Sequence, residues 1–269
     1  MFRNLLQLNR QKLYAFIKHN GIFYLTGLLL LFGMKYFYSR ANVNHLTWIL
    51  APTVWWVQTL SGVPFHFVPY EGYVNHTYQF VIAASCSGMQ FMIITIATLL
   101  FPFIPKINTK QKKIWWTIFI LPVSYALTIL VNIIRIFLSL YLPVIITQWM
   151  MHFHQKSLPD GFLTPARLHT IIGSFVYFTS LFFIYHLTGL LTRQSFHKIL
   201  PPMFFYLALV LGVPLLTQSW QKQEKQFMEY TLLVVFVCLT VIFLYQIWSL
   251  LWKTFSKHFR KSGRTKPYF

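Results

Sequence analysis

Long apolar stretches constrain this chain more than any other feature. They run over residues 22–38, 88–104, 114–142, 169–191, 201–217 and 230–252, and basic clusters stand between them. At about 1.5 Å per helical residue each is long enough, the shorter ones narrowly, to cross a hydrocarbon core about 30 Å thick. In lipid the backbone must satisfy its own hydrogen bonds, so such stretches fold as helices. Only 10% of the residues are charged, against about 25% in an ordinary soluble domain. The formal net charge of +19 is carried between apolar stretches and not spread over a polar surface, which excludes a soluble nucleic-acid-binding domain. The expected fold is therefore an all-α integral membrane protein of about six transmembrane helices.

The basic residues also suggest an orientation. They gather at Arg3, Arg10, Lys12 and Lys18, at Lys106, Lys110, Lys112 and Lys113, at Arg193 and Lys198, and in the tail from Lys253 to Lys266. If these clusters mark the cytoplasm, both termini are cytoplasmic and the number of crossings is even. A seventh stretch, residues 46–61, carries Pro52 with Trp48, Trp55 and Trp56. Parity makes it an interfacial or re-entrant helix on the outer side, with its indoles at headgroup depth. The outer loops are then 39–87, 143–168 and 218–229, and they hold all four acidic residues, Glu71, Asp160, Glu224 and Glu229. Within the first loop, Pro64, Pro69, Gly72 and the alternation Tyr78-Gln79-Phe80-Val81-Ile82 predict an external segment with a short hairpin. The first apolar stretch is expected to be a span and not a cleaved signal peptide.

Four carboxylates leave too few acids for two-metal sites, paired-carboxylate glycosidase chemistry or a Glu-based metalloprotease. No Walker loop, GxSxG, HExxH or dinucleotide fingerprint is present. His152 and His154 form a weak metal candidate with no carboxylate nearby except Asp160, so neither a metal nor a cofactor is expected. The aromatic residues suit lipid-facing and interfacial surfaces, and no nucleic-acid partner is expected. Cys238 lies in the middle of an apolar stretch and Cys86 where one begins, so two free thiols are expected.

Three residues are expensive or reactive where they stand. Arg135 interrupts the apolar run Leu130 to Phe137, where a guanidinium costs at least a few kcal/mol unless paired or hydrated. It lies 21 residues beyond Ile114, about 32 Å along a helix and near the outer interface. Snorkelling to the headgroups is one outcome; the polar neighbour Asn132, three residues earlier on the same face, favours a site facing the bundle. Cys86, in Ala84-Ser85-Cys86-Ser87-Gly88, stands at the outer start of a span. A helix N-terminus lowers a thiol pKa and offers N–H groups to an oxyanion, with Ser85 or Ser87 as the expected cap; the alternative is a small packing residue. His169, in Arg167-Leu168-His169-Thr170-Ile171-Ile172-Gly173, opens the next span, and an inert interfacial histidine is the alternative there. Cys86, Arg135 and His169 come from three helices at one expected depth, as nucleophile, cation and base, a set suited to acyl transfer.

These motifs, with Asn132-Ile133-Ile134-Arg135-Ile136 between the other two, resemble the exosortase/archaeosortase family of integral membrane cysteine transpeptidases. Gly72-Tyr73-Val74-Asn75-His76 and Phe80-Val81-Ile82 are similar to the exosortase K branch. The resemblance implies an exosortase-like membrane catalytic domain over 1–191; the apolar stretches within 192–252 match no family motif and are read as two further transmembrane helices of the same membrane domain, and 253–269 as a basic cytoplasmic tail. It implies catalytic roles for Cys86 as thioester-forming nucleophile, His169 as general acid/base and Arg135 as stabiliser of an oxyanion or of the thiolate, without deciding which of the last two handles the proton. The implied partners are secreted proteins bearing a C-terminal motif, a transmembrane helix and a basic cluster, together with membrane lipid and an unknown acceptor nucleophile. The implied location is the cell membrane, with the active site facing outward. Rival readings are an enzyme acting on a lipid or lipid-linked saccharide, with Arg135 holding a phosphate, and a non-enzymatic export or assembly subunit.

Overall fold

The computed structural model describes residues 2–154, 165–192, 200–216 and 224–262. Helix α1 (Phe2–Arg40) leads through a 3₁₀ turn to α2 (Thr47–Ser61) and a small sheet of β1 (His66–Val68), β2 (Gly72–Asn75) and β3 (Phe80–Ile82). A second 3₁₀ turn, Ala84–Cys86, precedes α3 (Met89–Leu100), which is followed by α4 (Lys110–His154) and α5 (Pro165–Leu191). The remaining elements are α6 (Leu200–Leu207), a π-helical turn Ala208–Gly212, α7 (Val213–Leu216) and α8 (Glu224–Ser262).

Among the described residues, five helical segments are long and apolar enough to cross a membrane: Gln11–Arg40, Ala84–Lys106, Lys110–Ile146, Arg167–Leu191 and Glu224–Ile247. This is the architecture of an all-α integral membrane protein. The sixth expected crossing is shorter, an apolar helix over Pro201–Leu215. The π turn interrupts it just before Pro214, which has no N–H to give to Val210.

Helix α3 is apolar on every side and sits at the centre of the bundle, with every residue but Gln90 buried. It packs against α1, α4, α5 and α6. Helix α1 is the opposite case: Leu25, Leu28, Leu29 and Phe32 are exposed, a surface suited to lipid. The end of α3 is tied to its neighbours through carbonyls that lack intrahelical partners. Tyr24 Oη donates to Phe101 O at 2.7 Å, and Trp116 Nε1 donates to Leu99 O at 3.1 Å.

The Trp-rich helix α2 buries Ile49, Leu50, Thr53, Val54 and Val57 on one face and exposes Trp48, Trp55 and Trp56. It runs alongside α4, because Tyr125 Oη donates to Trp48 O at one end (2.9 Å) and Tyr141 Oη to Ser61 O at the other (3.2 Å). It ends at Gly62, whose left-handed φ of 69° and N–H bond to Gln58 O close the last turn.

The expected hairpin is a three-stranded antiparallel meander in the order β1-β2-β3, with Phe67 opposite Tyr73 and Val74 opposite Val81. The added strand is only three residues long, too short for periodicity to announce it. Gly72 is required where the strands meet: its φ is 128°, and a Cβ there would lie 2.4 Å from Ile82 O. Buried Asn75 holds the connections, donating to Pro64 O at 2.6 Å and accepting from Tyr78 N at 2.7 Å. The sheet thereby delivers the chain, through fully buried Ile82, to the turn that carries Cys86.

Candidate active site

The Cys86 turn is pressed against α4. Cys86 N bonds to Ala83 O at 2.9 Å and Ser87 N to Ala84 O at 3.1 Å, a tight 3₁₀ turn. Gly88 then takes φ 77°, and a Cβ on it would sit 2.8 Å from Thr128 Cγ2 and 3.3 Å from Asn132 Cγ. Neither serine is the N-cap of α3, contrary to the sequence expectation. Gly88 occupies that position without a side-chain cap, and buried Ser87 Oγ accepts a long bond, 3.4 Å, from Met89 N and is hydrogen-bonded to the Tyr38 hydroxyl. The close approach to α4 favours a residue with no side chain there.

Gly88→Ala is accordingly expected to cost about 1–3 kcal/mol from the positive φ alone, with the contact to Thr128 adding to it. A thermal unfolding midpoint of the purified protein in detergent, unchanged from wild type, would contradict this account.

Behind the turn lies a chain of polar side chains in an otherwise apolar interior. Asn132 Nδ2 donates to the Cys86 carbonyl at 2.6 Å. Asn132 Oδ1 accepts from Tyr177 Oη at 2.9 Å, and Tyr177 Oη accepts from Arg135 Nη1 at 3.0 Å. Arg135 Nη2 lies 2.7 Å from His169 Nε2. Because a guanidinium only donates, Nε2 must accept, which makes the ring a neutral imidazole with its proton on Nδ1. The guanidinium also lies over the Tyr177 ring, 5.1 Å from its centroid, and Tyr177 in turn stacks on Phe91 at 4.8 Å.

Arg135 is only 7% exposed, so it faces the bundle and does not snorkel. Among the described residues no carboxylate pairs with it, and its Nε is buried without a hydrogen-bond partner. Gly173 of α5 makes room for it: a Cβ at 173 would be 3.1 Å from Arg135 Nε.

The three sequence-predicted residues therefore gather, but unequally. Arg135 and His169 touch directly. Cys86 joins them through its carbonyl and Asn132, while its thiol is free, buried at 6% exposure and within electrostatic reach of the guanidinium. Cys238 is likewise a free, buried thiol in α8. Beside the cluster is a cavity of about 140 Å³ whose walls include Ser85, Gly88, Arg135, His169, Tyr206 and Tyr230. Its far wall thus comes from α6 and α8, and the Arg167–Glu229 ion pair fastens α8 to α5 two residues from His169.

Sequence reasoning missed three tyrosines here. Tyr177 carried a usable signal, lying eight residues beyond His169 on nearly the same helical face. Tyr206 and Tyr230 carried none, since tyrosines are common at membrane helix ends. His152 and His154 close α4, and Asp160 lies outside the described residues. Among the described residues no group of three or more His, Cys, Asp and Glu could hold a metal.

A helical membrane protein with a thiol, a buried cation and a neutral imidazole gathered at the start of its central helix has the equipment of an acyl-transfer enzyme. The family model described as transmembrane exosortase (Exosortase_EpsH) matches residues 21–186, and the chain belongs to this family. Membership supports a membrane transpeptidase-like function in general. No curated protein and no solved structure matches the chain. The matched region ends before α6, so Tyr206 and Tyr230 close the cavity from outside it.

Proposed function

We propose that the protein is a membrane cysteine transpeptidase that cleaves C-terminal sorting signals of secreted proteins and passes the new C-terminus to an acceptor. The observation that carries this reading is the 2.7 Å contact between Arg135 and His169, held behind the Cys86 turn with no carboxylate among the described residues to neutralise the cation. Such a cation is available to a thiolate or an oxyanion.

In this mechanism neutral His169 takes the Cys86 thiol proton, the resulting thiolate attacks the scissile carbonyl, and the oxyanion that forms is stabilised by Arg135. Collapse breaks the C–N bond, forms the thioester and releases the amine, which takes a proton from His169. The acceptor then gives a proton to His169 and attacks the thioester, returning the thiolate. His169 is the proton carrier because Arg135 has no basic nitrogen to offer at neutral pH. Burial of the thiol and of the network behind it limits hydrolysis of the thioester by water.

The same proposal places both termini in the cytoplasm and the site at the outer face of the cell membrane, where a substrate with one transmembrane helix arrives by lateral diffusion. Residues 1–191 are its catalytic domain, and the two following helices within 192–252 complete the cavity wall. Assignment to the exosortase K branch rests on residues 72–76 and 80–82. The substrates are secreted proteins with a C-terminal motif, helix and basic cluster.

The test is mass spectrometry of C-terminal peptides from cells carrying the wild-type protein or Cys86→Ala. Membrane-anchored proteins that keep their C-terminal helix only with the variant support the proposal and reveal the motif. Identical peptide sets, with both proteins expressed, overturn it in favour of a lipid-acting enzyme or a structural subunit.

A further inference from the structure

A second polar concavity lies far from the Cys86 cluster. Its walls include Lys12, Phe16, His19 and Asn20 of α1 and Lys110 and Lys113 of α4, and it encloses about 480 Å³. Lys113 and Arg135 are 22 residues apart on α4, about 33 Å along the helix axis. That distance matches the hydrocarbon thickness, so the groove stands at the opposite headgroup layer.

The groove is built for negative charge. Lys12, Phe16 and His19 recur along one face of α1. They meet the first turn of α4, where the positive end of the helix dipole adds to Lys110 and Lys113. Lys113 is nine-tenths buried, at 5% exposure, and among the described residues no acidic side chain lines the groove. Its ammonium donates to Asn20 Oδ1 at 2.5 Å and to His19 O at 3.3 Å. The ammonium also lies over the Phe23 ring, 5.8 Å from its centroid, so all three of its neighbours are neutral. A buried cation satisfied only by neutral groups favours an anion beside it.

We infer that this groove binds a phosphate-bearing anion, the headgroup of an anionic phospholipid. Its volume suits a group the size of a glycerophosphoryl headgroup and not a bare phosphate ion. Exposed Leu13, Ile17, Ile114 and Trp115 on the same two helices give the acyl chains an apolar surface. Basic pockets between membrane helices recognise anionic headgroups in this way.

The experiment is native mass spectrometry of the full chain in detergent, titrated with phosphatidylglycerol or phosphatidylcholine. The comparison is Lys12→Gln/Lys110→Gln, in which both lysines are exposed and the buried Lys113 is kept. Wild type is expected to bind the first phosphatidylglycerol about 25-fold more tightly than the double variant, about fivefold for each lysine. Phosphatidylcholine binding is expected to be the same for both. Equal phosphatidylglycerol binding by the two proteins, or no preference of wild type for it over phosphatidylcholine, overturns the inference. Release of the lipid by millimolar inorganic phosphate, beyond that by chloride at matched ionic strength, overturns the headgroup assignment in favour of a soluble phosphate.

Discussion

Cys86→Ala is expected to lower processing of a sorting-signal substrate by at least about 10⁴-fold, the scale on which covalent catalysis fails when its nucleophile is removed. The change removes one sulfur from a buried position and leaves the Asn132 bond intact, because that bond goes to the backbone carbonyl. Fold and membrane level should therefore survive, with a stability change of about 1 kcal/mol or less. The two readouts are substrate cleavage and the amount of folded protein recovered from membranes. Cleavage that persists at a tenth of the wild-type rate would remove Cys86 from the chemistry. Loss of the protein from the membrane would instead mark it as a packing residue.

Arg135→Lys is the second large effect, with an expected loss of about 10²–10³-fold in kcat, the range seen when one preorganised oxyanion donor is removed. The charge is kept but the fork is lost. One ammonium on a shorter head cannot reproduce the contacts that the guanidinium makes with Tyr177, Asn132 and His169. The companion Arg135→Met separates chemistry from architecture. Arg135's hydrogen-bond partners are all neutral, so removing it strands no opposite charge, whereas keeping it buries a cation at a cost. Arg135→Met is thus expected to be inactive yet to unfold thermally at or above the wild-type temperature. If Met lowers stability by several kcal/mol, Arg135 is structural; if Lys retains full activity, the fork has no role in the reaction.

Much of this site was legible before the fold. Arg135 stands out because lipid makes a guanidinium expensive, and Asn132 follows from a spacing of three on a helix. Cys86 and His169 stand out through their place at span ends. The serine caps were misjudged because capping preferences are local, whereas the turn at Gly88 is shaped by Thr128 and Asn132, 40 and 44 residues away. Gly173 drew notice only as the end of a motif; its purpose, space for Arg135 Nε, belongs to the α4–α5 crossing.

By itself the sequence determined the class of protein, the places of its long helices and the residue types available for acyl transfer. Those follow from transfer free energies and helical rise, which depend on segments a few turns long. Tertiary structure alone decided which faces meet. It put α3 rather than any equally apolar helix at the centre, set α2 alongside α4 and added the third strand. It also brought Tyr177 into the Arg135 network and Tyr206 and Tyr230 around the cavity. A lipid-facing leucine and a bundle-facing leucine are the same residue in the same period, because lipid tails and protein interior are nearly equal as apolar surroundings. The choice between them is made by packing and by the few buried polar contacts that need a partner on another helix.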